Sequence, residues 1–275
     1  MNIIKKISNM PLYALAIILL IFTGLPYLIM INSSFKSQLE FMTSPWSFPD
    51  AFTFDNYSMV LSSNFIRYFG NSILVSVISV VIVIVISAMA SYPLARMKFK
   101  LNRPLFILFM VGMMIPIHTT LIPIYLLTIN MGLYDTIWGL IGPYVAFSIP
   151  ISVVIFTQFL QDLPKELEES AKIDGCGHFR LFWKILFPLL TPAVATVAIY
   201  NFIHIWNEFI FALVLTNSQE SATLPLGLRE FYGEFSVNVP GIMAALTLGS
   251  LPLLLVYLVA QEKIVKGIAA GSVKG

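Results

Sequence analysis

Long apolar segments separated by shorter polar ones dominate this chain of 275 residues. Six of the apolar segments hold roughly 20 residues or more, the length that an α-helix needs to cross a hydrocarbon core of about 30 Å. These segments are Pro11–Ile31, Phe69–Tyr92, Leu105–Ile129, Ile137–Phe159, Pro188–Leu215 and Ile242–Ala260. The pattern predicts an all-α membrane protein with six transmembrane helices, the first of which is not cleaved as a signal peptide.

Composition supports the same fold class. Hydrophobic residues make up 58% of the chain and charged residues 11%, and the mean hydropathy is +0.86. A soluble domain of this size cannot bury so large an apolar fraction, so the lipid bilayer must act as solvent for it.

The distribution of Lys and Arg predicts the orientation in the membrane, because cytosolic loops carry an excess of these residues. Three of them, at positions 36, 67 and 229, fall on one side of the six predicted spans. Thirteen fall on the other side: Lys5, Lys6, Arg96, Lys98, Lys100, Arg103, Lys165, Lys172, Arg180, Lys184, Lys263, Lys266 and Lys274. Both termini are therefore expected to be cytosolic.

The most highly charged polar segment, between Pro164 and Pro192, predicts two short helices joined by a glycine elbow. Pro164 suits the start of a helix, and three glutamates follow it near the positive end of the helix dipole. Helical spacing places four residues on one face: Leu167, Ser170, Ala171 and Asp174. Gly175 and Gly177 are expected to end this helix in the left-handed conformation. A second amphipathic helix then presents a stripe of four apolar residues: Phe179, Phe182, Trp183 and Leu186.

This segment resembles the cytosolic coupling loop, the EAA loop, of bacterial ABC-importer permeases. The sequence Glu169-Ser170-Ala171, then Gly175, then Ile185-Leu186-Phe187-Pro188 follows the family spacing, with Ser170, Cys176 and Phe187 as mild departures. The resemblance implies that the segment 164–188 contacts an ATPase subunit, that Glu169 pairs with a basic residue of the ATPase, and that Gly175 forms the tight elbow. The expected ATPase-coupling residues are Leu167, Glu169, Ser170, Ala171, Asp174, Gly175 and Pro188.

Other segments resemble the maltose-type carbohydrate branch of the same family. The first outer loop, up to Tyr68, is expected either to cap the helices or to contact a binding protein. In the second outer loop, the resemblance implies binding-protein contacts at Leu226, Gly227 and Phe231. The C-terminal tail is expected to be extended and to reach the ATPases through Gly267, Gly271 and Lys274, although a frayed cationic terminus is the alternative.

The resemblance implies a domain organisation and a set of partners. Residues 1–68 form the first span and outer loop, residues 69–262 the five-span core, and residues 263–275 a cytosolic tail. The expected partners are a second homologous permease, two ATP-binding subunits, an extracellular solute-binding protein and the bilayer of the bacterial cytoplasmic membrane. The expected solute is a sugar, a neutral oligosaccharide in particular, and no nucleic acid is expected.

Polar residues inside the predicted spans mark a candidate solute path. Prolines and glycines interrupt the third and fourth segments, which are therefore expected to line the protein interior rather than lipid. In the fifth segment, Asn201, His204 and Glu208 share one helix face beside Asn207, and His118 lies in the third. Either these residues face a solute path or gate, or they form hydrogen bonds between helices. For Asn207 and Glu208 a structural or gating role is favoured over direct solute contact, and for His118 a structural one.

The chain lacks the motifs of catalysis and of nucleotide binding. It contains no G-x-x-x-x-G-K-[ST], no H-E-x-x-H and no G-x-S-x-G, and its one cysteine, Cys176, cannot form an intrachain disulfide. No metal site or cofactor is expected in this chain, and ATP with Mg is expected on the partner subunits. Two alternatives are an ion-coupled secondary transporter, disfavoured by the absence of a recognisable inverted repeat, and a membrane-embedded enzyme.

Overall fold

The computed structural model describes residues 10–231 and 238–272, and within these ranges the chain forms helices and no strand. The α-helices are α1 (Met10–Ser34), α2 (Gln38–Thr43), α3 (Asp55–Ser62), α4 (Phe65–Arg96), α5 (Asn102–Gly112), α6 (Leu121–Asn130), α7 (Trp138–Asp162), α8 (Glu166–Ile173), α9 (His178–Leu181), α10 (Phe187–Leu189), α11 (Thr191–Trp206), α12 (Ile210–Leu215), α13 (Leu224–Gly227) and α14 (Val239–Ser272). There are 3₁₀ turns at Ile117–Thr120 and Leu228–Phe231 and a π-helical turn at Phe182–Leu186.

Four of these helices are long and apolar enough to cross a membrane: α1, α4, α7 and α14. Two further pairs of helical segments have the required length and apolarity but are sharply bent. The pair 102–112 and 117–130 bends by 91°, and the pair 178–189 and 191–206 bends by 74°. The described part of the chain therefore holds between four and six candidate spans, which includes the predicted number.

Prolines account for both bends. The first follows the end of α5 at Gly112, where Pro116 has no N–H for a helical hydrogen bond and restricts the residue before it. This break was predicted from the sequence. The second lies at Leu190, just before Pro192, which is accepted in the first turn of a new helix but cannot continue the old one.

The fifth apolar segment is less continuous than its composition suggests. The sequence predicts one span from Pro188 to Leu215, but the helix breaks at Leu190 and again between Trp206 and Ile210. At the second break the side chain of Glu208 accepts hydrogen bonds from the N–H groups of Phe211 and Ala212 and so provides the first turn of α12 with acceptors.

The described residues divide into two compact units, 1–66 with 228–251 and 67–227 with 252–275. The second unit holds a buried core in which α4, α7, α11 and the segment 178–190 meet. Its fully buried members include Phe156, Leu160, Leu181, Leu186, Leu190 and Val197. The segment that resembles the coupling loop is therefore anchored directly to candidate membrane-spanning helices.

Burial confirms one of the two segments expected to line the interior. Ten residues of α7, the fourth apolar segment, are buried. No residue of α5 is buried and only Thr128 of α6 is, so in the single chain the third segment shows little of the expected burial. Most apolar side chains of α5 are exposed, and lipid or another chain must cover them in a membrane.

The conformation of the C-terminal tail differs from the expected one. Helix α14 continues through Gly267 and Gly271 to Ser272, where an extended tail was expected. Ile268, Ala269 and Ala270 lie between the two glycines, and alanine has the highest helix propensity of all residues. Lys274 lies outside the described residues.

Candidate functional site

The charged segment folds as predicted into a short helix, an elbow and a second helical run. Helix α8 begins after Lys165 and ends at Ile173, with three glutamates in its first turn. Gly175 has φ +77° and so takes the left-handed conformation that favours glycine. Gly177 does not share this conformation, because its φ is −69° and it precedes α9 instead of ending α8. The elbow therefore depends on one glycine.

The face expected for partner contact is only partly exposed. Leu167, Ser170 and Asp174 are exposed, as are Glu169 and Pro188. Ala171 is 4% exposed and packs into the buried core. Ala171 was expected to contact the ATPase but faces the core instead, because its small apolar side chain lets α8 lie close to the core while the flanking positions stay outside.

An ion pair that the sequence analysis did not identify holds α8 in place. The carboxylate oxygen Oε1 of Glu168 lies 2.7 Å from Nε of Arg96, and both side chains are at least nine-tenths buried. The same guanidinium donates a hydrogen bond of 2.7 Å to the carbonyl of Leu163. Glu168 lies next to Glu169, the glutamate of the family motif, and only the folded chain shows that Glu168 is buried while Glu169 is exposed.

The predicted apolar stripe after the elbow is confirmed for two of its four members. Phe182 and Leu186 are buried, as is Leu181. Trp183 is half-buried, and Phe179 is exposed. The π-helical turn at 182–186 interrupts the α-helical spacing after Phe182, yet Leu186 stays buried as predicted, and the exposed Phe179 lies before the turn.

A cavity of about 270 Å³ lies between α7 and α11 and brings together four of the five predicted path residues. His118, Asn201, His204 and Glu208 line it, together with Tyr144 and other side chains of α7. Asn207 does not line it; its side chain donates a hydrogen bond of 2.8 Å to the carbonyl of Ile203 in its own helix. The stripe predicted from helical spacing therefore faces a common space.

Neutral donors surround the carboxylate of Glu208. The hydroxyl of Tyr144 donates to Oε2 at 2.6 Å, and the N–H groups of Phe211 and Ala212 donate at 2.8 and 3.3 Å. Because three donors already use its oxygens, Glu208 links α7 to the start of α12 across the cavity wall.

Asn201 and His204 have simpler environments. The amide of Asn201 is buried and donates to the hydroxyl of Ser152 at 3.0 Å and to the carbonyl of Val197 at 2.8 Å. His204 lies against the ring of Tyr200, with 4.1 Å between ring centroids. Its Nδ1 lies 2.7 Å from the Tyr200 carbonyl, which can only accept, so this nitrogen carries the proton and Nε2 stays available.

The segment after α12 is fastened to the turn between α6 and α7 by Asp135, another residue that sequence analysis missed. Oδ1 of Asp135 accepts hydrogen bonds from the N–H of Asn217 and of Ser218, at 2.8 Å each, and from the hydroxyls of Ser218 and Ser221. Burial acts to raise the pKa of Asp135, but these hydrogen bonds outweigh it and lower the pKa to about 2. The carboxylate is therefore a charged anchor for the segment 217–221.

Two further contacts hold the same segment against the start of α4. The amide of Asn71 donates to the carbonyls of Glu220 and Ala222, and the hydroxyl of Ser72 accepts from the N–H of Leu224. The backbone of Gly227 is buried against the ring of Tyr68, where an added Cβ would lie 2.1 Å from a ring atom.

The three residues expected to contact a binding protein therefore differ from one another in exposure. Leu226 and Phe231 are partly exposed, whereas Gly227 is buried and serves packing. The reason is steric, since only a residue without a side chain allows the backbone to approach the Tyr68 ring so closely.

The first long loop is built on buried polar contacts and leaves its aromatic residues exposed. The amide of Asn56 donates to the carbonyls of Ser34 and Lys36 at 2.8 Å each. Nζ of Lys36, although fully buried, donates to the carbonyl of Ser44 at 2.6 Å and to the hydroxyl of Ser47 at 3.1 Å. Trp46 and Phe48 remain about four-fifths exposed. The loop therefore displays aromatic rings on a fixed frame.

Within the described ranges no group of three or more His, Cys, Asp or Glu side chains converges in a way that could hold a metal ion. The chemistry available in the cavity is hydrogen bonding by amide, imidazole, hydroxyl and carboxylate groups beside aromatic rings.

Comparison with known proteins supplies the family. Residues 83–270 match the model of the binding-protein-dependent transport system inner membrane component family. An ABC transporter permease protein of Caldicellulosiruptor sp. is 49% identical over the whole of both chains. The diacetylchitobiose uptake system permease protein of Streptomyces coelicolor is 33% identical and aligns over 94% of this chain and 87% of its own. The melibiose/raffinose/stachyose import permease protein of Bacillus subtilis is also 33% identical, over 91% of each chain.

A solved structure has the same fold. A chain of the bacterial ABC transporter involved in the import of the acidic polysaccharide alginate superposes with a TM-score of 0.83 at 21% identity, covering 94% of this chain and 97% of that one. The match to the family model, residues 83–270, includes the whole segment 164–188, so the family resemblance seen in the sequence is confirmed. With its several apolar helices, the chain is a multi-pass membrane protein, and it belongs to the binding-protein-dependent transport system inner membrane component family, whose homologues here are permease subunits of carbohydrate ABC transporters and not enzymes.

Proposed function

We propose that this chain is a permease subunit of an ATP-driven importer in the bacterial cytoplasmic membrane and that it translocates a carbohydrate, a neutral oligosaccharide in particular. The observation that carries the proposal is the combination of an exposed coupling helix and a polar cavity on helices of one packed unit. Permease homologues provide the chemical class, and ATP hydrolysis with its Mg belongs to partner subunits.

The coupling segment 164–188 is the site of ATPase contact in this proposal. Leu167, Glu169, Ser170 and Asp174 offer one apolar, two charged and one polar contact on the open side of α8, which suits a helix seated in a groove of another protein. Glu169 pairs with a cation of the ATPase, and Ala171 supports the helix from within. Gly175 fixes the angle at which α8 leaves the core, and Gly267, Gly271 and Lys274 add a second contact from the C-terminal segment.

Orientation follows from charge. Thirteen of the sixteen Lys and Arg residues fall on the side of the segment 164–188 in the predicted topology, which supports a cytosolic position for that segment and for both termini. The loop fastened by Asp135 and the aromatic loop around Trp46 then lie outside. There, Leu226 and Phe231 are positioned to meet an extracellular solute-binding protein.

The cavity between α7 and α11 belongs to the solute path. Asn201, His204 and His118 provide hydrogen-bonding groups, and Tyr200 provides an aromatic face of the kind on which sugar rings stack. Glu208 acts as a structural or gating residue, because its oxygens are already used by Tyr144 and two amides. A second permease subunit completes the path and covers the exposed apolar surface of α5.

The solute is expected to be neutral because the cavity holds no lysine or arginine that could pair with an anion. Relatives named for diacetylchitobiose and for melibiose, raffinose and stachyose point to uncharged sugars, whereas an equally similar relative is named for sulfoquinovosyl glycerol, which carries a sulfonate. The lining of the cavity therefore carries this part of the proposal. The structural neighbour named for alginate shares the fold at 21% identity, which carries no weight for the solute.

The test is uptake by proteoliposomes that hold the chain with its partner permease and ATPases. Raffinose and diacetylchitobiose are supplied with the cognate binding protein, and an oligouronate serves as the anionic control. The proposal expects uptake of a neutral sugar only when ATP is enclosed with the ATPases. Uptake of the oligouronate alone would contradict the neutral solute.

The ion-coupled alternative is tested in the same preparation. If this chain without ATPases accumulates sugar when a proton or sodium gradient is imposed, it is a secondary transporter and the proposal is wrong.

A further inference from the structure

Helix α8 is attached to its own chain by very few buried side chains. Of its eight residues only Glu168 and Ala171 are buried, and alanine contributes a single methyl group. A cavity of about 580 Å³ opens beside the helix, with Lys98, Lys165 and Lys172 on its walls. The directional contact that fixes α8 on this side is therefore the ion pair between Glu168 and Arg96.

Arg96 connects three helices at once. It lies in the last turn of α4, its Nε faces the carboxylate of Glu168 on α8, and its terminal nitrogen donates to the carbonyl of Leu163 just after α7. A guanidinium is a rigid, charged plane with several donors, so one group can attract the carboxylate of Glu168 and donate to the carbonyl of Leu163 in a fixed relation. Displacement of α8 therefore acts on the ends of α4 and α7 together.

The connection continues to the cavity along α7. Between Ile151, which lines the cavity, and Asp162 the helix contains neither proline nor glycine. At a rise of 1.5 Å per residue, this unbroken part spans roughly 17 Å. The hydroxyl of Ser91 donates to the carbonyl of Val153 at 3.1 Å, so α4 and α7 are linked a second time along this length.

The alignment of the pair suits a contact that changes during a cycle. Nε and Oε1 approach to 2.7 Å, but their geometry does not form an aligned hydrogen bond, and neither atom has another partner. A buried charge pair that is held by proximity rather than by hydrogen bonds can be rearranged with a smaller loss than a fully bonded one.

We propose that the Arg96–Glu168 ion pair transmits displacement of α8 to the cavity-lining helix α7, so that both residues are positioning residues for transport. The inference rests on the proposed function, in which an ATPase displaces α8. In this proposal Glu169 contacts the ATPase, and Glu168 transmits the displacement of α8 to Arg96 within this chain.

The experiment uses a reporter that needs no knowledge of the solute. Cys176→Ala removes the chain's one cysteine, and Ile151→Cys then places a thiol in the cavity. The complete transporter in proteoliposomes is treated with a membrane-impermeant maleimide, with no nucleotide or with ATP and vanadate trapped on the ATPases. The labelling rate of this chain and the rate of ATP hydrolysis are both measured.

Trapping is expected to change the labelling rate of the reference chain by about fivefold or more, the lower range of typical coupling between sites. The double substitution Arg96→Gln with Glu168→Gln removes both charges without leaving one unpaired. It is expected to reduce this change to less than about twofold while ATP hydrolysis continues. Arg96→Lys, which keeps the charge, should retain part of the difference in labelling rate that trapping causes in the reference chain. Glu166→Gln removes an exposed carboxylate of the same helix and should leave that difference unchanged.

Three results would overturn the inference. The first is a double variant in which trapping changes the labelling rate as much as in the reference chain. The second is a double variant that loses ATP hydrolysis together with the change in labelling rate. The third is a double variant that cannot be recovered as an assembled complex, which would make the pair a folding element only. If the reference chain itself shows no change on trapping, the proposed function fails, and that outcome is distinct from the other three.

Discussion

Two carboxylates, Glu168 and Glu208, are partly or wholly removed from water, and the chain accommodates them in opposite ways. Glu168, at the end of the bundle that carries α8, faces the guanidinium of Arg96 at 2.7 Å. Glu208, beside the cavity of α7 and α11, accepts from a tyrosine hydroxyl and two backbone amides and faces no cation.

The difference shows how each region is used. A charge pair fixes two helices at a distance and direction but requires both members, so loss of one leaves the other buried without compensation. A carboxylate that is held by neutral donors caps a broken helix, and its loss leaves weaker hydrogen bonds rather than an uncompensated charge. The first arrangement suits transmission of force between helices, and the second suits the shaping of a cavity wall.

Glu168→Gln is expected to have the largest effect on stability. It leaves the Arg96 guanidinium buried opposite a neutral amide, and breaking a buried pair from one side costs about 3 kcal/mol or more. Glu169→Gln, the exposed neighbour, should change the free energy of unfolding by less than about 0.5 kcal/mol. Thermal unfolding of the detergent-solubilised chain measures both, and equal effects would remove the distinction between the two glutamates.

Glu208→Gln is expected to cost less, about 1 to 2 kcal/mol, because the amide oxygen still accepts from a neutral donor. Tyr144→Phe should cost a similar amount by removing one of the three donors. The same unfolding assay gives the comparison directly. A loss for Glu208→Gln that exceeds the loss for Glu168→Gln would contradict the contrast between the two regions.

Gly175→Ala is expected to destabilise the elbow by about 1 kcal/mol, because a residue with Cβ is strained at φ +77°. Gly177→Ala is the matched control. Both glycines have open space where a Cβ would lie, but Gly177 has φ −69°. Gly175→Asp should in addition reduce ATP-driven uptake, whereas Gly177→Asp should not. Equal behaviour of the two positions would show that the left-handed elbow is unimportant.

The smallest expected effect is a pH dependence of the stability that Asp135 contributes to the folded chain. Its pKa is about 2 in the folded chain, against 3.8 ordinarily, so its stabilising contribution is present above pH 3.8 and is lost as the pH falls toward 2. Asp135→Asn should remove this part of the acid sensitivity. The difference in unfolding temperature between the two chains, measured at pH 6 and pH 3, should narrow at the lower pH, and a constant difference would contradict the assigned role.

The sequence was sufficient for the features that depend on local pattern. Helical spacing identified the stripe that faces the cavity, prolines identified the break after Gly112, and the coupling motif identified the elbow at Gly175. In each case the determining residues lie within one short stretch of the chain, about two helical turns for the stripe and 20 residues for the motif, so no contact between distant segments is needed to predict them.

The features that the sequence did not predict depend on contacts between distant residues. Arg96 and Glu168 are separated by 72 positions, and the donors to Asp135 lie more than 80 positions away. The family motif marks Glu169, but nothing in the sequence predicts the burial of its neighbour Glu168, because burial is decided by the core beneath α8. The same holds for Phe179, which lies on the predicted apolar stripe of the second helix but is exposed in the folded chain.

Cross-linking from α8 tests the central claim most directly. Ser170→Cys, in the Cys176→Ala background, places one thiol on the exposed face of α8, and Ser62→Cys places it on the side assigned to the exterior. Membranes that contain the assembled transporter are treated with a short thiol-to-amine cross-linker, and the products are separated by size. The account predicts a covalent product with the ATPase from position 170 and none from position 62. The account would be contradicted if position 170 gave no such product, or if a membrane-impermeant reagent labelled the thiol at position 170 from outside the cell.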